Sequence, residues 1–147
     1  MENEITLFES KAEMYSSFKP TSEEEEKAFF NAINSTEYQI SDEINETIEV
    51  RDVYVEIVNL TDDETGEITQ APRIVLIDTK LKGHGCVSSG IFSACKKLFA
   101  IKGLPDTWKA PVKLKILSLN KGKKRILTFT LAWYKNLIPP SYRGVFL

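Results

Sequence analysis

The stretch GHGCVSSGIFSACKKLF, residues 83–99, carries the only histidine and both cysteines of a 147-residue chain. His84 and Cys86 are two apart, and side chains two apart on a strand point the same way, which is the least that a Cys–His nucleophile pair requires. A third group to orient the base is missing: the nearest carboxylates in sequence are Asp78 and Asp106. Two cysteines and one histidine at these spacings match no structural zinc pattern. No carboxylate cluster suggests magnesium, and no lysine follows a phosphate-loop glycine pattern. The expectation is therefore no catalytic residue, no metal and no cofactor, with Cys86 and Cys95 as reduced thiols in the core.

The other chemistry in the chain is cationic. The formal net charge of −2 hides a division: residues 1–70 hold 19 acidic and 4 basic side chains, residues 71–147 hold 15 basic and 2 acidic. Such polarity suggests a surface for polyanions beside an acidic segment, against the plainer reading that the two halves neutralise each other. The cations concentrate at Lys113, Lys115, Lys121, Lys123, Lys124 and Arg125. Lys113 and Lys115 alternate with Val112, Leu114 and Ile116, so they line the outer face of a strand. A row of cations that tracks a backbone, with aromatics for stacking bases, is the physical recipe for binding a single nucleic-acid strand. The aromatic candidates are Tyr54, expected exposed because it lies opposite Val53, Val55 and Ile57, and Trp108, which either stacks bases or caps a barrel. Lys82 and His84 join the candidate surface as loop residues near the groove.

These residues must be positioned by elements. Residues 1–20 read as an arm ending at Pro20. TSEEEEKAFFNAINS reads as a helix, with Thr21 and Glu24 or Ser22 and Glu25 as a capping box and Ala28, Phe29, Ala32 and Ile33 on one face. Its glutamate run is either a solvated helix start or an acidic flap competing with nucleic acid. TIEVRDVYVEIVNL alternates but slips phase, so a bulge is expected near Arg51 and Asp52. APRIVLIDTK, apolar on both faces, reads as a central strand. A turn KLKGHG leads to a short strand around Cys86 and Val87. Ser88 or Ser89 caps a helix to about Ile101 that buries Ile91, Cys95 and Leu98, and Gly103 stops it. VKLKILSL, the turn NKGKK and RILTFTLAW form a hairpin, with Arg125, Leu127, Phe129, Leu131 and Trp133 on one face.

Strand, strand, short strand, helix, strand, strand is the order of a five-stranded OB-fold barrel, mainly β, with an acidic helix added at the N-terminus. The divisions are residues 1–43 as acidic arm and helix, 44–135 as the barrel, and 136–147 as a tail. In such a barrel the hairpin joining the fourth and fifth strands is one wall of the nucleic-acid groove. No apolar run approaches the roughly 20 residues needed to span a bilayer, and the acidic start is unlike a secretory signal.

The segment from VRDVYVE to APVKLKI resembles the single-stranded DNA-binding proteins of phages and mobile elements of Gram-positive bacteria. The features are the DVYVE strand, the TGE turn, VLID, a G-x-G-x-VS step into a helix, and G-x-P-x-x-W after it, over about residues 22–131. The resemblance implies an OB-fold that coats single strands in phage or plasmid DNA replication or recombination, in the cytoplasm of a bacterial host, with single-stranded DNA as partner and no enzyme activity. It assigns no binding residue individually. Cellular single-strand binders end in an acidic tail with a terminal phenylalanine. Here PPSYRGVFL departs from that, so docking of replication proteins on the tail stays an open expectation, as does homo-oligomerisation. The alternative is a protein-interaction module of a replication or defence complex, working through the acidic helix and the apolar tail.

Overall fold

The computed structural model describes residues 14–35 and 37–132. Its strands are β1 (Met14–Ser16), β2 (Tyr38–Gln39), β3 (Thr47–Thr61), β4 (Ile68–Asp78), β5 (Gly83–Val87), β6 (Val112–Lys121) and β7 (Lys124–Leu131); its helices are α1 (Glu23–Asn34) and α2 (Ser89–Lys102). They build one mainly β, curled half-barrel sheet of OB-like character, ordered β2-β5-β4-β3-β6-β7, with β1 on β3. Strands β3 to β7 with α2 before β6 follow the expected order. Among the described residues the sheet has seven strands where five were expected, because Met14–Ser16 pairs antiparallel with Tyr54–Glu56 and Tyr38–Gln39 pairs parallel with β5. Strands this short carry no readable period.

β3 curls the sheet because it serves two partners. Thr47–Val50 pairs with β6, and Val50–Thr61 pairs with β4. The register shifts between Val50 and Asp52, where the sequence loses phase. One extra residue returns Val53 and Val55 to the buried side already used by Ile48 and Val50, and it adds bend and twist. The bulge is fastened from outside. The Ser17 hydroxyl donates to Asp52 Oδ1 at 2.9 Å and accepts from the Val53 N–H at 3.0 Å, while Arg51 Nε donates to Asp52 Oδ2 at 2.9 Å.

The core fills the concave side: Val53, Val55, Ile74, Leu76, Leu114 and Ile116 meet Ile91, Cys95, Leu98 and Phe99 of α2. Ser88 caps α2, its hydroxyl accepting from the Ile91 N–H at 3.1 Å, and the Gly103 N–H closes the last turn on the Phe99 carbonyl. Among the described residues β5 and β7 do not pair, and α2 packs on β7 and β4. The approach is close. A Cβ on Gly90 would lie 2.1 Å from the Leu127 carbonyl oxygen, so only glycine lets the helix start against that strand.

α1 covers the opposite, convex side. The Ser22 hydroxyl caps the helix by accepting from the Glu25 N–H at 3.1 Å, and Glu25 Oε1 reaches back one residue past the cap to accept from the Thr21 N–H at 3.0 Å. A helix of 12 residues is marginal alone. Phe29 and Ile33 hold it by packing on Tyr54, Val75 and Ile77. The segment set apart in sequence as residues 1–43 thus supplies, in its described part, two strands and a covering helix to the same sheet.

Candidate nucleic-acid interface

The loop between α2 and β6 is drawn onto the barrel end by Trp108. Its indole Nε1–H donates to the Gly103 carbonyl at 3.0 Å, and its ring sits 6.4 Å from that of Phe99. Of the two readings of Trp108, capping is what the geometry shows, and the indole remains partly exposed on its other side. Around it lie two adjoining clefts of about 690 and 470 Å³, which share Trp108, Lys109, Ala110 and Pro111. The larger continues through Thr130 and Leu131 into a third, of about 550 Å³, between α2 and β7. The three form one trough from Arg51, past Trp108, to Lys121 near the β6–β7 tip.

The trough has a sorted chemistry. Its floor is apolar: Trp108, Pro111, Val112, Leu98, Phe129 and Leu131. Its cations are Arg51, Lys97, Lys102, Lys109, Lys113 and Lys121, against two carboxylates, Asp52 and Asp106, at one end. Asp52 is already engaged by Ser17 and Arg51. Burial raises its carboxyl above the ordinary value despite those hydrogen bonds.

The hairpin beyond the trough is sharper than NKGKK suggested. Only Gly122 and Lys123 lie outside the strands, and the last pair is Lys121 with Lys124. Gly122 has φ of +66° and Lys123 does not have positive φ, as a two-residue II′-type turn requires. Lys121, Lys123, Lys124 and Arg125 are exposed at this tip. Lys113 and Lys115 occupy the outer face of β6, half-buried, with Glu49 and Thr47 as their register neighbours on β3. Of the expected sites, Lys113, Lys121 and Trp108 therefore line the trough, Lys115 shares the face of Lys113, and Lys123, Lys124 and Arg125 extend beyond it.

Three expectations are corrected. Tyr54 is 5% exposed instead of open to solvent, because α1 covers its face of the sheet. Its hydroxyl donates to Glu56 Oε2 at 2.9 Å. Burial, aided by that bond, pushes its pKa to about 12. His84 belongs to β5 instead of a loop, and it is 7% exposed. Its Nδ1 lies 2.8 and 2.9 Å from the two Glu43 oxygens, its Nε2 lies 2.8 Å from Asp78 Oδ2, and its ring stacks on Tyr38 at 5.1 Å. Lys82, which is exposed, lines a different cleft with Ala28 and Asn31 of α1. None of these three lines the trough.

Sequence reasoning missed Arg51, Lys97, Lys102 and Lys109. The adjacency of Lys109 to Trp108 was the one available signal; the other three come from β3 (Arg51) and α2 (Lys97 and Lys102), which only the fold brings to the same path. Trp133 and the tail 136–147 lie outside the described residues. Among the described residues no His, Cys, Asp and Glu group could hold a metal, and no helix is long and apolar enough to cross a membrane.

With this geometry in view, a family model described as Phage Single-stranded DNA-binding protein matches residues 8–133. No curated protein and no solved structure matches the chain.

Proposed function

Because the chain belongs to the phage single-stranded DNA-binding protein family, of the phi29 type, we propose that it coats single-stranded DNA through the trough around Trp108, without reading sequence. The observation that carries this is the convergence of six cations from β3, α2, the following loop and β6 on one apolar-floored path. Phosphates follow the cationic rim and release counterions, which supplies affinity with no base information. Bases rest on the apolar floor, with the indole as the stacking platform, and any base has a face to offer. The half-barrel acts as an open OB-type scaffold, and its role lies in phage or mobile-element DNA replication or recombination in the host cytoplasm.

The protein works as a binder and not as a catalyst. Burial pushes the Cys86 thiol to about 12 and raises that of Cys95 further, which leaves neither as a thiolate nucleophile. His84 is enclosed by Glu43, Asp78 and Tyr38. The alternative of a protein-interaction module is less supported, since the apolar face of the acidic helix is spent on the sheet.

Titration of the full chain with single-stranded and duplex oligonucleotides at two salt concentrations tests the reading. Single strands should bind tighter. Replacing Lys102, Lys109 and Lys113 with alanine should lower the slope of log affinity against log salt by about 2, at about 0.7 per phosphate contact. Equal affinity for duplex, or a triple variant with unchanged slope, would place the function elsewhere.

A further inference from the structure

Two hairpins leave the sheet in opposite strand directions. β3 and β6 are antiparallel and share only Thr47–Val50 with Val112–Lys115. From that shared patch β3 runs on with β4 to one tip, and β6 runs the other way with β7 to the second. The tips stand roughly 60 Å apart in strand contour, at about 3.3 Å per residue. One carries Asp62, Asp63, Glu64 and Glu67 and no cation; the other carries Lys121, Lys123, Lys124 and Arg125 and no anion.

Each tip also exposes apolar surface beneath its charges. Leu60 and Ile68 are 45% and 64% exposed below the acidic turn, and Leu119 is 51% exposed below the basic one. Among the described residues no ion pair involves a charged side chain of either tip. Asp62 is committed to its own turn, accepting from the Glu64 and Thr65 N–H groups, but Asp63, Glu64 and Glu67 are exposed. Strand direction separates the two sets within one chain, so their mutual neutralisation requires a second molecule.

We propose that the acidic β3–β4 hairpin of one copy docks on the basic β6–β7 hairpin of a second copy. Charge complementarity selects the partner: four anions above exposed Leu60 and Ile68 meet four cations above exposed Leu119. The two surfaces differ and lie at different ends, so in the head-to-tail arrangement proposed each copy keeps one free tip of each kind for a further copy, and the contact is heterologous. Lys123, Lys124 and Arg125 lie past the trough, whereas Lys121 and Leu119 line its end, so a docked neighbour covers that end and leaves the part around Trp108 free. The inference does not rest on the single-strand reading, and its test contains no DNA.

Sedimentation velocity of the full chain at about 0.05 M and about 0.5 M salt reads the contact directly, since screening separates the two conditions. The parent should form concentration-dependent species larger than a dimer at low salt and sediment as a monomer at high salt. One variant reverses the acidic tip (Asp63→Lys, Glu64→Lys, Glu67→Lys), and another reverses the basic tip (Lys123→Glu, Lys124→Glu, Arg125→Glu). Each alone should be monomeric with the parent's circular dichroism, because the changes lie on exposed turns. Mixing the two should restore association, and so should both reversals in one chain, which keeps the parent's net charge. A parent that stays monomeric at low salt, as expected if the acidic tip serves a different protein or the basic tip serves only a polyanion, overturns the proposal. So does a single-tip variant that still associates, or a mixture that does not.

Discussion

Asp78 joins two pieces of structure with one carboxylate. Its Oδ1 accepts from the Lys80 and Lys82 N–H groups and shapes the β4–β5 turn, while Oδ2 faces His84. The turn forces Leu81 to φ of +61°, a cost of about 1–2 kcal/mol, offset where Leu81 packs against the cluster of Tyr54, Val75 and Ile77. Burial alone would raise the Asp78 carboxyl, but the hydrogen bonds from His84, Lys82 and Lys80 outweigh it and hold it below the ordinary value. A carboxyl depressed in the native state stabilises the fold above its unfolded pKa of about 3.9, and that contribution is lost as pH falls through the native value. Asp78→Asn should therefore be less stable than the parent at neutral pH, with the gap in urea unfolding narrowing below about pH 4. A gap unchanged from neutral to acid pH would contradict this. Tyr54 belongs to the same scale. Tyr54→Ala should cost about 3–5 kcal/mol of stability, as for other buried aromatics, yet leave the affinity of the folded protein for a single strand unchanged. An affinity loss in the folded variant would return Tyr54 to the interface.

At the scale of elements, α2 decides the shape of the trough. It leaves β5 at Ser88, starts against β7, and brings Lys97 and Lys102 to the same path as Lys113. That placement depends on Gly90, whose missing side chain admits the Leu127 carbonyl. Gly90→Ala should force the helix and β7 apart and destabilise the fold by about 1–3 kcal/mol, the usual cost of overpacking. Thermal unfolding of the variant measures it, and an unchanged midpoint would show that the contact yields freely. The β3 bulge acts on the same scale, since it lets one strand turn from β6 to β4 while keeping its apolar side inward.

At the scale of the molecule, charge is arranged and not merely balanced. The net charge of −2 is close to neutral, yet the cations from residue 71 onward supply five of the six in the trough. Two acidic clusters sit on α1, over the convex face, and at the far tip of β3–β4, while the trough itself holds only Asp52 and Asp106 against its six cations. This separation is what lets a chain of acidic pI present a surface to a polyanion. It is also why salt dependence, with the lysine variant, is the measurement that bears on the whole molecule.

Much of the architecture is legible in the sequence because it rests on local periodicity and caps. The phase slip located the bulge, Ser88 and Gly103 bounded α2, and Ile91, Cys95 and Leu98 named its buried face. The strand order and the basic hairpin followed from alternation and turn residues, and the family resemblance rested on the same motifs. Side-chain exposure was not legible in the same way. Tyr54 alternates as an exposed residue should, and it is buried only because α1 lies over that face; His84 sits between glycines like a loop residue, and it is buried only because β2 and Glu43 reach it from elsewhere in the chain. The trough likewise needs Arg51, Lys97, Lys102, Lys109, Lys113 and Lys121 from four separate elements. Period and capping are properties of neighbours in sequence, so the sequence by itself determined the two helices, the strands β3 to β7 and their order, but not the short β1 and β2. Burial, the partners of His84 and the path of the cations depend on which elements meet across the fold, and only the tertiary structure decided them.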